Sequence, residues 1–201
     1  MYENIINNIR KDIPFTDIEV AIFLLSCTNK TFARGETIAA PGDRFSWGGY
    51  INHGLVRCYF QSSAKEVTLN MWCDDQWFSD YESVYLDEPS SYYFEALEDT
   101  ELITIPVEKL DQLSDKSHAF EKWRIRMTER HMVEFLLSEK PDKMNTREEH
   151  YRILLADKPE LVRRAPLKYL AGLLSIEPET LSRIRSRVAK NKGTSVSREE
   201  R

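Results

Sequence analysis

Hydrophobic periodicity divides the chain into three stretches. Near the start, Thr16-Asp17-Ile18-Glu19 fits a capping box, with Glu19 three residues after a Thr16 cap. Ile18, Ile22 and Leu25 follow at helical spacing. From Thr31 the period changes to alternation. Pro41-Gly42-Asp43 and Asn52-His53-Gly54 mark turns between short apolar segments. In Leu55–Phe60, Val56, Cys58 and Phe60 share one face, and Leu55, Arg57 and Tyr59 the other. In Glu66–Trp72, Val67, Leu69 and Met71 alternate with Glu66, Thr68 and Asn70. Tyr92–Ala96 and Leu102–Ile105 complete a set of short strands that predicts an antiparallel barrel or jelly roll.

After Pro106 the helical period returns. Val107–Leu113 predicts a short helix. Ser117 is placed to cap a longer one that runs to about Ser138, ~30 Å at 1.5 Å per residue. Phe120, Trp123, Met127 and Leu137, with Val133, give it an imperfect apolar seam, read as a dimer contact. Pro141 should end it, and Thr146 should cap a further helix over Arg147–Ala156. The expected units are a β-roll over 1–116, a dimerisation helix over 117–140 and a hinge over 141–146. A helix-turn-helix over 147–192 and a disordered polar tail over 193–201 follow. The fold class is α+β.

The segment Pro166–Lys190 carries the most specific pattern. Two helices that cross closely need a small residue at the crossing, and Ala171 is placed for it. Leu170, Leu174, Ile176, Leu181 and Ile184 fall at offsets that pack the pair. Ser175 stands four residues after the alanine, where glycine is preferred because the backbone turns left-handed there. Pro178 suits a first helical position. With Leu181, Ile184 and Val188 inward, Glu179, Thr180, Ser182, Arg183, Arg185 and Arg187 are left for base edges and phosphates in a major groove. Lys168 joins that set, and Arg163, Arg164 and Lys190 are candidate phosphate contacts.

Charge supports this division. Residues 1–146 carry 15 basic and 25 acidic residues, a net −10, whereas residues 147–201 carry 13 and 8, a net +5. The tail, not the whole chain, is suited to a polyanion.

Pro178-Glu179-Thr180-Leu181-Ser182-Arg183 resembles the recognition helix of the cyclic AMP receptor protein/Fnr (Crp/Fnr) family of regulators. Phe32-Ala33-Arg34-Gly35-Glu36 is similar to the family's first strand and turn. Ile51–Arg57 is similar to its I-x-x-G-x-V-R strand, and Glu95–Leu102 to its late-barrel stretch. The resemblance implies a cyclic-nucleotide-binding-like β-roll, a homodimer, double-stranded DNA read at a palindromic operator, and RNA polymerase as a partner. Where the family holds the ribose hydroxyl with a glutamate and neutralises the cyclic phosphate with an arginine, this chain has Phe78-Ser79-Asp80-Tyr81 and Pro89–Tyr93. No Arg or Lys stands between Lys65 and Lys109. A phosphate buried there would lack a cationic partner. Any effector is therefore expected not to be cyclic AMP. A pocket for an unknown small molecule would use Trp77, Phe78, Asp80, Tyr81, Ser90, Ser91 and Tyr92. After Lys190 the family's β-wing is expected to be truncated.

Other chemistry has less support. Cys27, Cys58 and Cys73 form no C-x-x-C pair, and of His53, His118, His131 and His150 only His53 falls in the barrel. Neither a metal nor any other cofactor is expected. Asp74, Asp75, Asp80 and Glu82 read as acidic loop surface rather than catalytic acids. No apolar run reaches ~18 residues and the N-terminus lacks a signal-peptide layout, so a cytoplasmic protein without membrane contact is expected. Two rival readings stay open. One is a ligand-binding or interaction module whose helix-turn-helix no longer meets DNA. The other is a cupin-like enzyme.

Overall fold

The computed structural model describes residues 2–63, 65–138 and 146–199, and for 137–138 and 191–199 the backbone alone. The chain begins with α1 (Glu3–Arg10) and α2 (Asp17–Leu25). The strands β1 (Thr28–Phe32), β2 (Thr37–Ala39), β3 (Trp47–His53), β4 (Leu55–Gln61), β5 (Glu66–Cys73) and β6 (Trp77–Phe78) follow. A short α3 (Tyr81–Leu86) separates these from β7 (Tyr93–Ala96) and β8 (Thr100–Pro106). The rest is helical: α4 (Val107–Lys116), α5 (His118–Ser138), α6 (Arg147–Asp157), α7 (Pro159–Arg164), α8 (Leu167–Leu173) and α9 (Pro178–Glu199). Thr16 and Thr146 close capping boxes with Glu19 and Glu149, which fixes the starts of α2 and α6.

The strands form two antiparallel sheets, in the orders β1-β8-β3-β6 and β2-β7-β4-β5. Both sheets are covered on both faces, which makes four layers. Alternate residues of the inner strands therefore enter different cores. Ile51 and Leu102 point between the sheets, with Phe45, Val56, Phe78 and Phe94. Tyr50 and Ile103, their chain neighbours, pack outward against Ile5, Ile9, Phe23, Leu110, Phe120 and Trp123 of the helices. On the far side, Leu55, Met71, Cys73 and Leu97 meet Tyr151, Leu161, Leu170, Leu181 and Ile184.

This second covered face explains a departure in β5. Alternation predicts Val67, Leu69 and Met71 on one face. The β4–β5 register shifts between Cys58 and Tyr59, so Cys58 pairs with Asn70 and Tyr59 with Thr68. The bulge leaves Leu69 without a partner and 42% exposed. An extra residue reverses the face of everything after it. Thr68, Met71 and Cys73 consequently face the C-terminal helices, and Trp72 packs against the inter-sheet core.

Two further expectations are corrected. Phe120 and Trp123 are buried within their own chain, 2% and 5% exposed, and Met127 packs against the same core. They pack on the rings of Phe15, Phe23 and Trp77, because α1 and α2 lie in the groove that a partner was expected to fill. The apolar side chains that α5 leaves in solvent are Ile125, Met132, Val133, Phe135 and Leu136, on the opposite side. The side chain of Leu137, and residues 139–145 of the expected hinge, lie outside the described residues. The polar tail is helical to Glu199, since after Pro178 no proline interrupts α9 and a single Gly193 costs only ~1 kcal/mol. No described helix is long and apolar enough to cross a membrane.

Candidate nucleic-acid interface and effector cleft

Helices α8 and α9 form the helix-turn-helix. Leu170 and Ala171 are fully buried, and Leu181, Ile184 and Val188 are 0–3% exposed, so the crossing is dry. Ser175 adopts φ 53°, the left-handed conformation that its position in the turn requires. The backbone N–H of Ile176 donates to Ala171 O at 3.0 Å and closes the turn. With the inner face of α9 fixed, Glu179, Thr180, Ser182, Arg183, Arg185, Arg187 and Lys190 all stand exposed along the outer face.

The expected phosphate contacts divide. Lys168 is exposed, its Nζ 4.3 Å from the Tyr169 ring centroid. Arg163 is exposed and paired with Glu160 on its own helix. Arg187 donates from Nε to Glu148 Oε2 at 2.8 Å, which ties α9 to α6. Arg164 is the correction, since it does not stand open to a phosphate. Its side chain is 11% exposed and points into the β-roll. Nη1 donates to Asp74 Oδ2 and Nη2 to Glu98 Oε2, both at 2.6 Å, and Nη2 also donates to Gly54 O at 2.9 Å. The hydrogen bonds it donates to Glu98 and Asp74 hold the guanidinium above its ordinary pKa, against the desolvation that lowers it. For Asp74, desolvation acts upward. The Arg164 and Gly54 N–H bonds outweigh it and keep the carboxyl below its usual range. Asp74, expected as loop surface, is thus a half-buried anchor for Arg164.

A second contact lies beside the first. The Arg57 guanidinium, 2% exposed, sits between the Tyr59 ring at 4.0 Å and the Tyr169 ring of α8 at 3.8 Å. It donates to Thr68 Oγ1, Glu66 Oε2 and Glu95 Oε2 at 2.9, 2.9 and 3.3 Å. Gly172 lets α8 approach this sheet, since a Cβ there would come within 3.3 Å of Thr68 Oγ1. Sequence reasoning named Arg57 and Asp74 only as strand and loop residues. Their roles come from Arg164 and Tyr169, 90 or more residues away on α7 and α8, for which the chain carries no local signal.

The expected effector residues are split by the sheets. Trp77 and Phe78 are adjacent in β6 and point oppositely. Trp77 enters the helical core and donates Nε1–H to Asn8 Oδ1 at 3.0 Å. Phe78 enters the inter-sheet core, within 5.5–6.4 Å of the Phe45, Trp47, Trp72 and Phe94 rings. Asp80 caps α3 through Oδ1, while its buried Oδ2 has no partner among the described residues. Ser90 is buried and bonds to the Tyr92 backbone, whereas Ser91 is exposed. Tyr92 donates to Glu82 Oε2 at 2.6 Å, and this bond with burial pushes its hydroxyl up to about 12. Tyr81 hydrogen-bonds His131 Nδ1 of α5. Desolvation lowers the His131 pKa, against the charge of Glu134. Tyr81, Met127, Thr128 and His131 line a small cleft of about 40 Å³. That is room for a few waters, not for a nucleotide. No group of described His, Cys, Asp or Glu could hold a metal ion.

The fold is a two-sheet roll of the cyclic-nucleotide-binding type, followed by a long helix and a helix-turn-helix pair. Comparison with known proteins agrees. Residues 29–117 match the family model of the cyclic nucleotide-binding domain, and the chain has the fold of Crp/Fnr regulators. FixK2 from Bradyrhizobium japonicum superposes with a TM-score of 0.68 at 16% identity, over 83% of this chain and 86% of that one. A putative cyclic nucleotide binding protein from Ruegeria pomeroyi gives 0.65 at 19% identity, over 94% and 88%. The catabolite activator protein of Thermus thermophilus gives 0.54 at 21% identity, over 92% and 88%. Comparison with curated protein sequences finds no match.

Proposed function

We propose that this chain is a homodimeric, DNA-binding transcription regulator that reads a palindromic operator and is not an enzyme. The observation that carries the reading is α9, whose exposed face gathers Glu179, Ser182, Arg183 and Arg185 opposite a fully buried Leu181 and Ile184. Arg183 is suited to a bidentate contact with guanine, and Glu179 to accepting from cytosine N4. Lys168 is suited to a phosphate. The exposed apolar side of α5, from Ile125 to Leu136, supports a two-fold partner helix, since such a stripe is costly in water. Two recognition helices would then enter successive major grooves ~34 Å apart.

The effector is not cyclic AMP. Two features support this. The region from Lys65 to Lys109 has no cation between its ends, and the inter-sheet space beside Asp80 is packed with Phe45, Trp47, Phe78 and Phe94. Titration calorimetry with cyclic AMP and cyclic GMP is expected to show no micromolar binding.

Selection of bound sequences from a random duplex pool tests the main reading. The expected product is an inverted repeat with half-sites one helical turn apart. Recovery of no sequence above background by a folded dimer would refute it.

A further inference from the structure

The basic C-terminal unit rests on an acidic body, and the contact between them is specific. Arg164 stands three residues before α8, the helix that in such motifs crosses the DNA backbone. An arginine there is suited to phosphate, yet its guanidinium is fully engaged by the β-roll. Its Nε, Nη1 and Nη2 meet both oxygens of Asp74 and both of Glu98 at 2.6–3.3 Å.

The receiving site is built rather than incidental. Gly54 has φ 125°, and a Cβ there would lie 2.4 Å from Thr100 Oγ1, so the turn requires glycine. Its N–H donates to Asp74 Oδ1 at 2.6 Å and orients that carboxylate, while its carbonyl accepts from Arg164. His53 Nδ1 lies 3.6 Å from the same Asp74 oxygen.

We propose that Asp74 and Glu98 are an internal stand-in for DNA phosphate. They hold Arg164 and keep the helix-turn-helix docked on the β-roll, and DNA competes with them for the same guanidinium. This rests on the DNA-binding reading above. Carboxylate pairs and phosphate oxygens offer arginine the same planar, bidentate acceptor geometry. In the docked form Glu66 borders α8 through Arg57 and Tyr169, and Asp74 and Glu98 hold the end of α7 just before it, so like charge opposes the phosphates of a duplex that approaches these helices. The docked form is therefore the weaker DNA binder. If the contact were structural glue alone, its removal would loosen the molecule without tightening its grip on DNA.

The test uses the full chain and two variants, D74N/E98Q and R164Q. Asparagine and glutamine keep the size, but each loses the charge and replaces one of the two acceptor oxygens that Arg164 uses with an N–H donor. Binding to a selected duplex and to a scrambled one is measured over several salt concentrations. Amide exchange of β5, the edge strand beneath α8, reports docking. D74N/E98Q is expected to bind both duplexes about tenfold more tightly. Its salt dependence should steepen by about one phosphate contact. R164Q should expose β5 equally but without the steeper salt dependence. The single variants D74N and E98Q, expected to move the same way by less, serve if the double variant does not fold. Unchanged or weaker binding by D74N/E98Q or both single variants, with wild type binding DNA, overturns the proposal. If wild type itself binds no duplex, the DNA-binding reading fails first and takes this proposal with it.

Discussion

The β-roll is covered on its two outer faces by two different kinds of contact. The face toward α1, α2 and α5 is aromatic. Phe15, Phe23, Tyr50, Trp77, Phe120 and Trp123 interlock there, with centroids 4.8–6.4 Å apart. The face toward α8 has an apolar floor, with Leu55, Met71 and Cys73, but a charged border in Arg57, Glu66, Asp74, Glu98 and Arg164. The first contact carries no charge for salt to screen. The second is held partly by charges that an outside polyanion also satisfies. One face is closed by aromatic packing, and the other by apolar contacts with a charged border.

The largest effect expected from breaking this comparison is at the aromatic seam. Trp123→Ala should lose ~3–5 kcal/mol of unfolding free energy, read by denaturant titration, because it opens a cavity in the monomer core. Monomers that stay fully stable would show that Trp123 belongs to an interface between chains. Charge placed on the opposite side of α5 should do the reverse. Phe135→Glu, at a position 63% exposed, should separate the proposed dimer in light scattering while far-ultraviolet circular dichroism stays unchanged. A dimer that persists with this variant and with Met132→Glu would move the interface off α5.

Arg183→Ala should cost ~1–3 kcal/mol on a selected duplex and relax preference at one base pair. Equal losses on scrambled DNA would make it a phosphate anchor. A pH effect should localise to the aromatic side. Desolvation, with the charges of Arg130 and Lys158, lowers the His131 pKa, while Glu134 and a Trp77 backbone hydrogen bond act the other way. The unfolded chain then binds this proton more readily, so stability is fully present above the ordinary histidine pKa of ~6.5. It falls as pH drops from there through the folded value. His131→Gln should flatten that part of the stability profile, and a profile of unchanged slope would count against the assignment. The smallest effect is in the turn. Ser175→Gly should gain ~0.4–1 kcal/mol in thermal unfolding, since glycine occupies φ 53° without the Cβ penalty. A loss would mean that the Ser175 side chain has a role of its own.

Much of this fold is legible in the chain because its signals are local. The caps at Thr16 and Thr146, the turn at Ser175 and the 3.6-residue spacing of Leu170, Leu174, Leu181 and Ile184 each depend on a few neighbouring residues. Backbone sterics and hydrogen-bond geometry act at that range, and so sequence alone determined the β-roll, the long helix and the outward face of α9. Which face of an element meets which other element is a different matter. Phe120 and Ile125 are both apolar residues of α5, yet one is buried by α1 and α2 and the other is left in solvent. Arg164 and Arg163 are adjacent and chemically identical, yet only the first meets Asp74 and Glu98. Those outcomes were decided by tertiary structure alone, because burial and charge pairing are set by partners distant in the chain, and no local pattern encodes where such a partner will stand.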